Sequence, residues 1–269
     1  MRTFLESTAP TVKEKPGFEI LYWIGCAASY DPRAQRIAIA MVKLLQHAKI
    51  NFAILGNEEK CTGDSARRLG DEFLFQELAT HNIEVLHKYK VMKIVTHCPH
   101  CLNTFVNDYP QLGGKFEVTH HSVFLQGLMA DGRLRIDGAG QKPESAEGGA
   151  LAYHDPCYLA RIHGVVDEPR RLLDHAKREK SYCELKRHGK CTSCCGAGGG
   201  RMWMEENPDK RISHKRTEEV IQSGADTLAT SCPFCMMMMA DGLASKGSEI
   251  KVYDIAELLA RELGLMNDL

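Results

Sequence analysis

Eleven cysteines are spread through 269 residues, and nine of them fall into two sets of matched spacing. The richer set is Cys157, Cys194, Cys195, Cys232 and Cys235, which reads C-x36-CC-x36-C-x2-C. Converging thiolates are ligands for zinc and for iron–sulfur clusters. Four complete a tetrahedral zinc site, so a fifth points to a larger or irregular iron–sulfur assembly. Adjacent Cys194 and Cys195 suit two different irons better than one chelated ion. In the Cys232–Cys235 turn, Pro233 pre-sets the backbone so that one loop offers two thiolates.

Gly196, Gly198 and Gly199 lie in the run that follows Cys195 at once. Glycines let backbone approach closely and adopt positive φ, and consecutive N–H groups form a nest for an anion. Here the anion would be a cluster with its sulfides and thiolates. A dinucleotide phosphate loop competes, but the run lacks GxGxxG spacing; a plain structural turn is the other alternative. His154 stands three residues before Cys157 and is the candidate to supply a proton or hydrogen bond beside the cluster. The plainer alternative makes His154 a satisfied core histidine and Asp155 a helix cap. Arg201 either offsets cluster charge or is solvated.

The second set is Cys26, Cys61, Cys98 and Cys101. Cys98 and Cys101 answer to Cys232 and Cys235 at an offset of 134, Cys61 to Cys195 at the same offset, and Cys26 to Cys157 at 131. The chain is therefore an internal duplication. The first copy lacks the paired cysteine: Lys60 occupies the place of Cys194, and Thr62-Gly63-Asp64 replaces the glycine run. Zinc, a second cluster and an empty thiol site all stay open for these four residues.

Other side chains read as structural. Cys183 lies in an alternating run and is expected to be an inert core thiol; Cys191 makes a second C-x2-C with Cys194. Met236–Met239 are expected to pack in the core or to form a soft partner-facing surface rather than to bind metal. His120 and His121 look like a metal pair, but they match Tyr253-Asp254 in the other copy, so strand-end capping is expected. His97 and His100 flank Cys98.

The elements that must hold these residues alternate between strand and helix. Strands are expected at 18–24, 51–55 and 93–97, with helices over 33–48 and 64–89, the latter N-capped by Asp64 and burying Leu69, Phe73, Leu78, Ile83 and Leu86. The second copy repeats this with strands at 151–154, 181–185 and 227–231 and helices over 167–178 and from near 200. Segments 116–128 and 250–260 each read as a short strand running into a helix. The fold class is α/β: two tandem pseudo-symmetric cysteine-rich repeats, each a small mostly parallel sheet flanked by helices. Ligands of such sheets bind beyond the carboxyl ends of the strands, which is where the cysteines fall. Residues 1–17 read as an N-terminal extension, 18–136 as repeat 1, 137–149 as a Gly/Pro/Ser-rich linker and 150–269 as repeat 2.

Hydrophobic residues make up 43% and charged residues 26%, the profile of a globular chain. The net charge of −1 supplies no basic field for nucleic acid. No apolar run is long enough to span a bilayer, and the first residues have no secretory core. The expected place is the reducing cytoplasm, where cysteines serve metal or redox work rather than disulfides.

With these residues in view, the chain resembles the cysteine-rich (CCG) domain of heterodisulfide reductase-related iron–sulfur oxidoreductases. The residues that carry the resemblance are Cys157, the CCGAGGGRMW run from Cys194 to Trp203, and the closing Cys232-Pro-Phe-Cys235. In repeat 1, the segments WIGCAAS, GNEEKCTGDSARRLG and HCPHCLNTF resemble the family's form without the double cysteine. The resemblance covers about 18–260. It implies an electron-transfer oxidoreductase subunit in which Cys157, Cys194, Cys195, Cys232 and Cys235 hold a noncubane 4Fe–4S cluster. It further implies flavoprotein or ferredoxin-like partners, a quinone or thiol/disulfide acceptor, and docking to the cytoplasmic membrane face through a quinone-reactive subunit. Family members often carry a ferredoxin unit ahead of these repeats, which is not seen here. The expectation is a separate subunit or a piece of a longer protein. A zinc-stabilised scaffold and a metal-free thiol–disulfide enzyme are the alternatives outside the family.

Overall fold

The computed structural model describes residue 5 and residues 8–136, 149–177, 180–207 and 210–266. Residues 137–148 of the expected linker lie outside the described residues. Before them come strands β1 (Ile20–Trp23), β2 (Phe52–Ala53), β3 (Lys93–Thr96) and β4 (Glu117–His120); after them come β5 (Ala150–His154), β6 (Ser181–Glu184), β7 (Thr227–Thr230) and β8 (Lys251–Asp254). Each group forms one all-parallel sheet, ordered β2-β1-β3-β4 and β6-β5-β7-β8. Central strands of such sheets are covered on both faces and so carry continuous apolar runs. Leu21–Trp23 and Thr227–Thr230 are buried throughout.

Ten helices among the described residues flank the sheets. They are α1 (Gly25–Tyr30), α2 (Pro32–His47), α3 (Asp64–Leu69), α4 (Glu72–Lys88), α5 (Pro99–Asn103), α6 (His121–Ala130), α7 (Asp167–Ala176), α8 (Ile212–Gln222), α9 (Pro233–Ser245) and α10 (Ile255–Glu262). None is long and apolar enough to cross a membrane. The expected α2 face is buried: Ile37, Met41, Leu44, Leu45 and Ala48.

Two expectations for the helices are corrected. The helix expected over 64–89 is two, because Gly70 turns left-handed (φ +90°) and ends α3, after which the Asp71 carboxylate accepts the Leu74 N–H (3.0 Å) and starts α4. Asp64 is the first residue of α3 rather than its cap, and its carboxylate pairs with Arg68 instead. Leu69 (46%) and Phe73 (93%) are exposed, not buried. The break rotates both off the core face; Leu69 lies over Gly200 of the other repeat. The second correction is the helix expected near 200. Gly196, Gly199 and Gly200 all take positive φ, so the chain makes a short 3-10 turn at Arg201–Trp203 instead of starting the helix there, and α8 starts at Ile212.

The repeats are locked to each other. Arg33 on α2 makes a two-pronged ion pair with the buried Glu257 of α10 (2.8 and 2.9 Å) and donates to the Val252 carbonyl. Glu257 also closes the α10 capping box by accepting the Asp254 N–H. His121 Nε2 at the start of α6 meets Asp254 Oδ1 at the start of α10, 2.9 Å apart and fully buried.

Candidate metal centre

In each sheet the chain leaves the central pair of strands in opposite directions, so a crevice opens beyond the carboxyl ends of β1/β3 and of β5/β7. Cys26 follows β1, Cys98 follows β3, Cys157 follows β5 and Cys232 follows β7. Pro99 and Pro233 occupy the first turns of α5 and α9, where a missing N–H is no loss, and Cys98 and Cys232 stand at the N-cap positions.

The repeat 2 thiols interact around one close sulfur contact, Cys157 with Cys194, Cys194 with Cys195 and Cys232 with Cys235. Cys195 Sγ and Cys235 Sγ are 3.3 Å apart. Cys194 is held down to about 2, first by the Cys157 thiol and next by the Cys195 thiol, against burial, with the Gly196 N–H 3.2 Å from its sulfur. The same contact pushes the Cys157 thiol up. Cys232 falls to about 5: burial opposes this, but the Cys235 thiol and the His100 imidazole outweigh it. Thiolate is the form that ligates metal, and the surroundings of Cys194 and Cys232 favour it. Gly196 takes φ +94°, which lets its N–H turn back on Cys194 where a side chain would be strained. Gly198 and Gly199 continue this loop; Gly198 runs close to the rings of Tyr158 and His100.

His154 belongs to this group. A ring nitrogen of His154 and the sulfurs of Cys195 and Cys235 lie within 4.8 Å of one another, all buried. Its Nδ1 is 2.9 Å from the Arg216 Nε. A guanidinium only donates, so Nδ1 carries the lone pair and the ring proton is on Nε2. Burial, reinforced by the Arg216 charge, keeps the ring neutral, its pKa well below the usual value. The Nε2–H has no hydrogen-bond partner among the described residues. A buried donor left over beside the Cys195 and Cys235 thiols fits a polarisable anionic group held there. Arg216 is itself fully buried, ion-paired with Glu219 (2.9 Å) and bonded to the Arg187 carbonyl (2.9 Å). Asp155 is buried under a bidentate Arg170 (2.8 and 3.0 Å) and accepts the Gly189 N–H (2.7 Å), which ties the loop ahead of Cys194 to β5.

The repeat 1 sulfurs also converge. Cys26 and Cys61 are 3.7 Å apart, and Thr62 Oγ1 is 3.7 Å from Cys101 Sγ. Cys61 is lowered to about 7, chiefly by the Cys26 thiol, while Cys26 and Cys101 are pushed up by their thiol neighbours and burial, and Cys98 by burial. The loop here is sealed by neutral groups: Asn82 donates to the Cys61 carbonyl (2.9 Å) and accepts the Lys60 N–H (3.1 Å). Its amide also donates to the Tyr109 hydroxyl (3.1 Å), which donates in turn to the Thr62 carbonyl (3.2 Å). Glu59 accepts the N–H groups of Ile24 and Gly25 ahead of Cys26.

The remaining candidates lie away from the sulfur sets or pack as structure. Cys183 is half-buried against the core on the edge strand β6, and Cys191 is exposed. Met236 and Met239 are buried. Arg201 pairs with Glu206 near the surface. His120 caps α6, accepting from Ser122. The sheet registers put Thr96 beside His120 and Thr230 beside Asp254, so His120 matches Asp254, one residue off the sequence alignment.

The cysteine-rich domain family CCG matches residues 20–106 and 151–240. The chain is 45% identical over 264 residues to the "Probable iron-sulfur-binding oxidoreductase FadF" of Bacillus subtilis, covering 96% of this chain and 36% of that protein. It is 42% identical over 251 residues to the "EtfAB:quinone oxidoreductase" of Syntrophomonas wolfei, covering 90% and 34%. It is 36% identical over 262 residues to a subunit of the dihydromethanophenazine:CoB–CoM heterodisulfide reductase of Methanosarcina barkeri, covering 95% and 62%. The chain thus spans about a third of the length of the first two relatives and under two thirds of the third.

Proposed function

Because this chain belongs to the CCG cysteine-rich domain family, we propose that it is the iron–sulfur electron-transfer module of an oxidoreductase. Cys157, Cys194, Cys195, Cys232 and Cys235 would hold a noncubane-type 4Fe–4S cluster. Such a group stores and passes single electrons. The observation that carries this reading is the buried group of Cys195 Sγ, Cys235 Sγ and a His154 ring nitrogen within 4.8 Å of one another, with Cys194 interacting with Cys195 and Cys157, and Cys232 with Cys235. Cys194 and Cys232 would meet the metal as thiolates, the Gly196 N–H braces Cys194, and the buried His154 would offer its Nε2–H as a neutral donor beside them. Electrons would enter from a flavoprotein or ferredoxin-like partner and leave to a quinone or a thiol/disulfide. A membrane partner would carry the module to the bilayer surface. This follows what the relatives are named for: a quinone oxidoreductase and a heterodisulfide reductase.

For Cys26, Cys61, Cys98 and Cys101 we propose a separate four-sulfur site of zinc or cubane-cluster type. It has no fifth thiol, because Lys60 stands where repeat 2 has Cys194.

The test is iron and labile sulfide in anaerobically purified protein. We expect about four of each at the repeat 2 site, lost in Cys195→Ser and retained in Cys183→Ser. The metal left in Cys195→Ser identifies the occupant of repeat 1. Stoichiometric zinc without labile sulfide in the parent protein would sink the cluster assignment, as would equal iron in the two variants.

A further inference from the structure

The two CPxC turns meet at the junction of the repeats, and they are not chemically alike. His100 stands in the first turn where Phe234 stands in the second, at the same offset of 134 that relates the cysteines. His100 is 5% exposed. Its ring lies edge-on to Phe234 (centroids 5.1 Å, 89°) and tilted over Tyr158, the residue after Cys157 (4.4 Å). Both contacts cross from repeat 1 to repeat 2. So does a third: His100 Nδ1 is 3.9 Å from Cys232 Sγ. The imidazole is thereby wedged among three residues of the other repeat, with one polar atom at hydrogen-bonding range of a sulfur.

We infer that His100 is a positioning residue for the repeat 2 centre, its Nδ1–H donating to Cys232 Sγ across the junction and setting the reduction potential of the cluster held there. The inference rests on the cluster reading above and adds to it that repeat 1 acts on the repeat 2 centre through a side chain, whatever repeat 1 itself holds. A hydrogen bond to a ligating sulfur draws electron density from it. This favours the reduced state, which carries one more negative charge, so the potential rises. At the related place in repeat 2, Phe234 has no donor to return. The effect therefore runs one way, from the first repeat to the second.

The packing makes the donor hard to replace by solvent. Phe234 and Tyr158 cover the ring on two sides, and a Cβ at Gly198 would come within 3.7 Å of Nε2. Water is kept from Cys232 Sγ on this side, and the residue itself is fully buried.

The experiment is an EPR-monitored redox titration of the whole anaerobic protein and of two variants, each with iron and sulfide counted. His100→Phe keeps an aromatic ring and copies the repeat 2 turn, but removes the donor. We expect it to retain the iron and sulfide of the parent protein while its midpoint shifts to lower potential. His100→Asn places an amide N–H about where Nδ1 lies and should restore most of that shift. Resonance Raman gives a second readout: the iron–thiolate stretches should shift in His100→Phe and return in His100→Asn. An unmoved midpoint in His100→Phe at full iron content would overturn the inference and leave the cluster reading intact. Loss of iron in both variants alike would also overturn it, since the side chain would then hold the fold together rather than tune the centre. A parent protein without iron or sulfide would instead overturn the cluster reading, and this inference with it.

Discussion

The two repeats share a sheet order and a cysteine frame, yet they close their sulfur sites by different means. From Cys61 to Cys98 and from Cys195 to Cys232 the spacing is identical, and α4 and α8 end at matching positions, Lys88 and Gln222. Within that frame Lys60 faces Cys194, Thr62 faces Gly196, Asn82 faces Arg216, and Trp23 faces His154 at the end of the matching strand. Repeat 1 seals its loop with the neutral Asn82 amide and the Tyr109 hydroxyl. Repeat 2 buries a guanidinium and aims it at a histidine that faces the thiols. Where repeat 2 has a neutral imidazole, repeat 1 has an indole packed edge-on against Phe105 (4.8 Å), and both leave a buried N–H without a partner among the described residues. The sheet brings sulfurs together; the side chains at the matched positions decide what charge the assembled site tolerates.

Substituting the matched pair Arg216 and Asn82 breaks this comparison most forcefully. Arg216→Met leaves Glu219 short of one partner and strips donors from His154 Nδ1 and the Arg187 carbonyl. Breaking a buried charged set by removing one member costs about 3–5 kcal/mol. Asn82→Ala takes the donor from the buried Tyr109 hydroxyl and the partner from the part-buried Lys60 N–H and Cys61 carbonyl, at about 1–3 kcal/mol. Urea unfolding of the metal-free protein should rank Arg216→Met as the more destabilised. The reverse order would mean that the charge of Arg216 is not what holds repeat 2.

Arg216 is not legible in the sequence. A charged residue inside a helix ordinarily reads as solvated, and only pairing the repeats at an offset of 134 puts it opposite Asn82. The duplication, the parallel α/β sheets and the strands that precede Cys26, Cys98, Cys157 and Cys232 are legible, because parallel strands are apolar throughout and thiols at equal spacing are hard to mistake. The course of the chain between strands is less so. Periodicity runs straight through Gly70, since a left-handed glycine leaves the apolar spacing on either side unchanged. The glycines after Cys195 read as a nest followed by a helix, but their positive φ values exclude the helix while supplying the N–H to Cys194.

The helix caps of α6 and α10 sharpen the comparison at smaller scale. His120 and Asp254 stand at the same place in the two repeats, but Asp254 also holds His121 across the junction. Losing a cap costs about 1 kcal/mol. Losing the acceptor of a buried imidazole N–H adds about 1–3 kcal/mol. Asp254→Ala should therefore lower the unfolding midpoint more than His120→Ala. Equal losses would show that the cross-junction pair contributes little.

The smallest effect separates these two caps by charge. Burial, then the neighbouring His121 and His97 rings, push His120 well below its ordinary 6.5, so it stays neutral in the fold. Below about pH 6.5 the unfolded chain takes up a proton at this residue that the native chain refuses. The stabilisation is complete above that pH and is lost as pH falls towards the folded value, so stability rises with pH, by at most about 1.4 kcal/mol per unit from this one site. His120→Asn keeps an N-cap acceptor and removes the titration. Its unfolding free energy between pH 5 and 7 should therefore change less steeply than that of the parent, by up to one proton. Parallel curves would place the missing proton on another group and leave the capping role of His120 as its whole contribution.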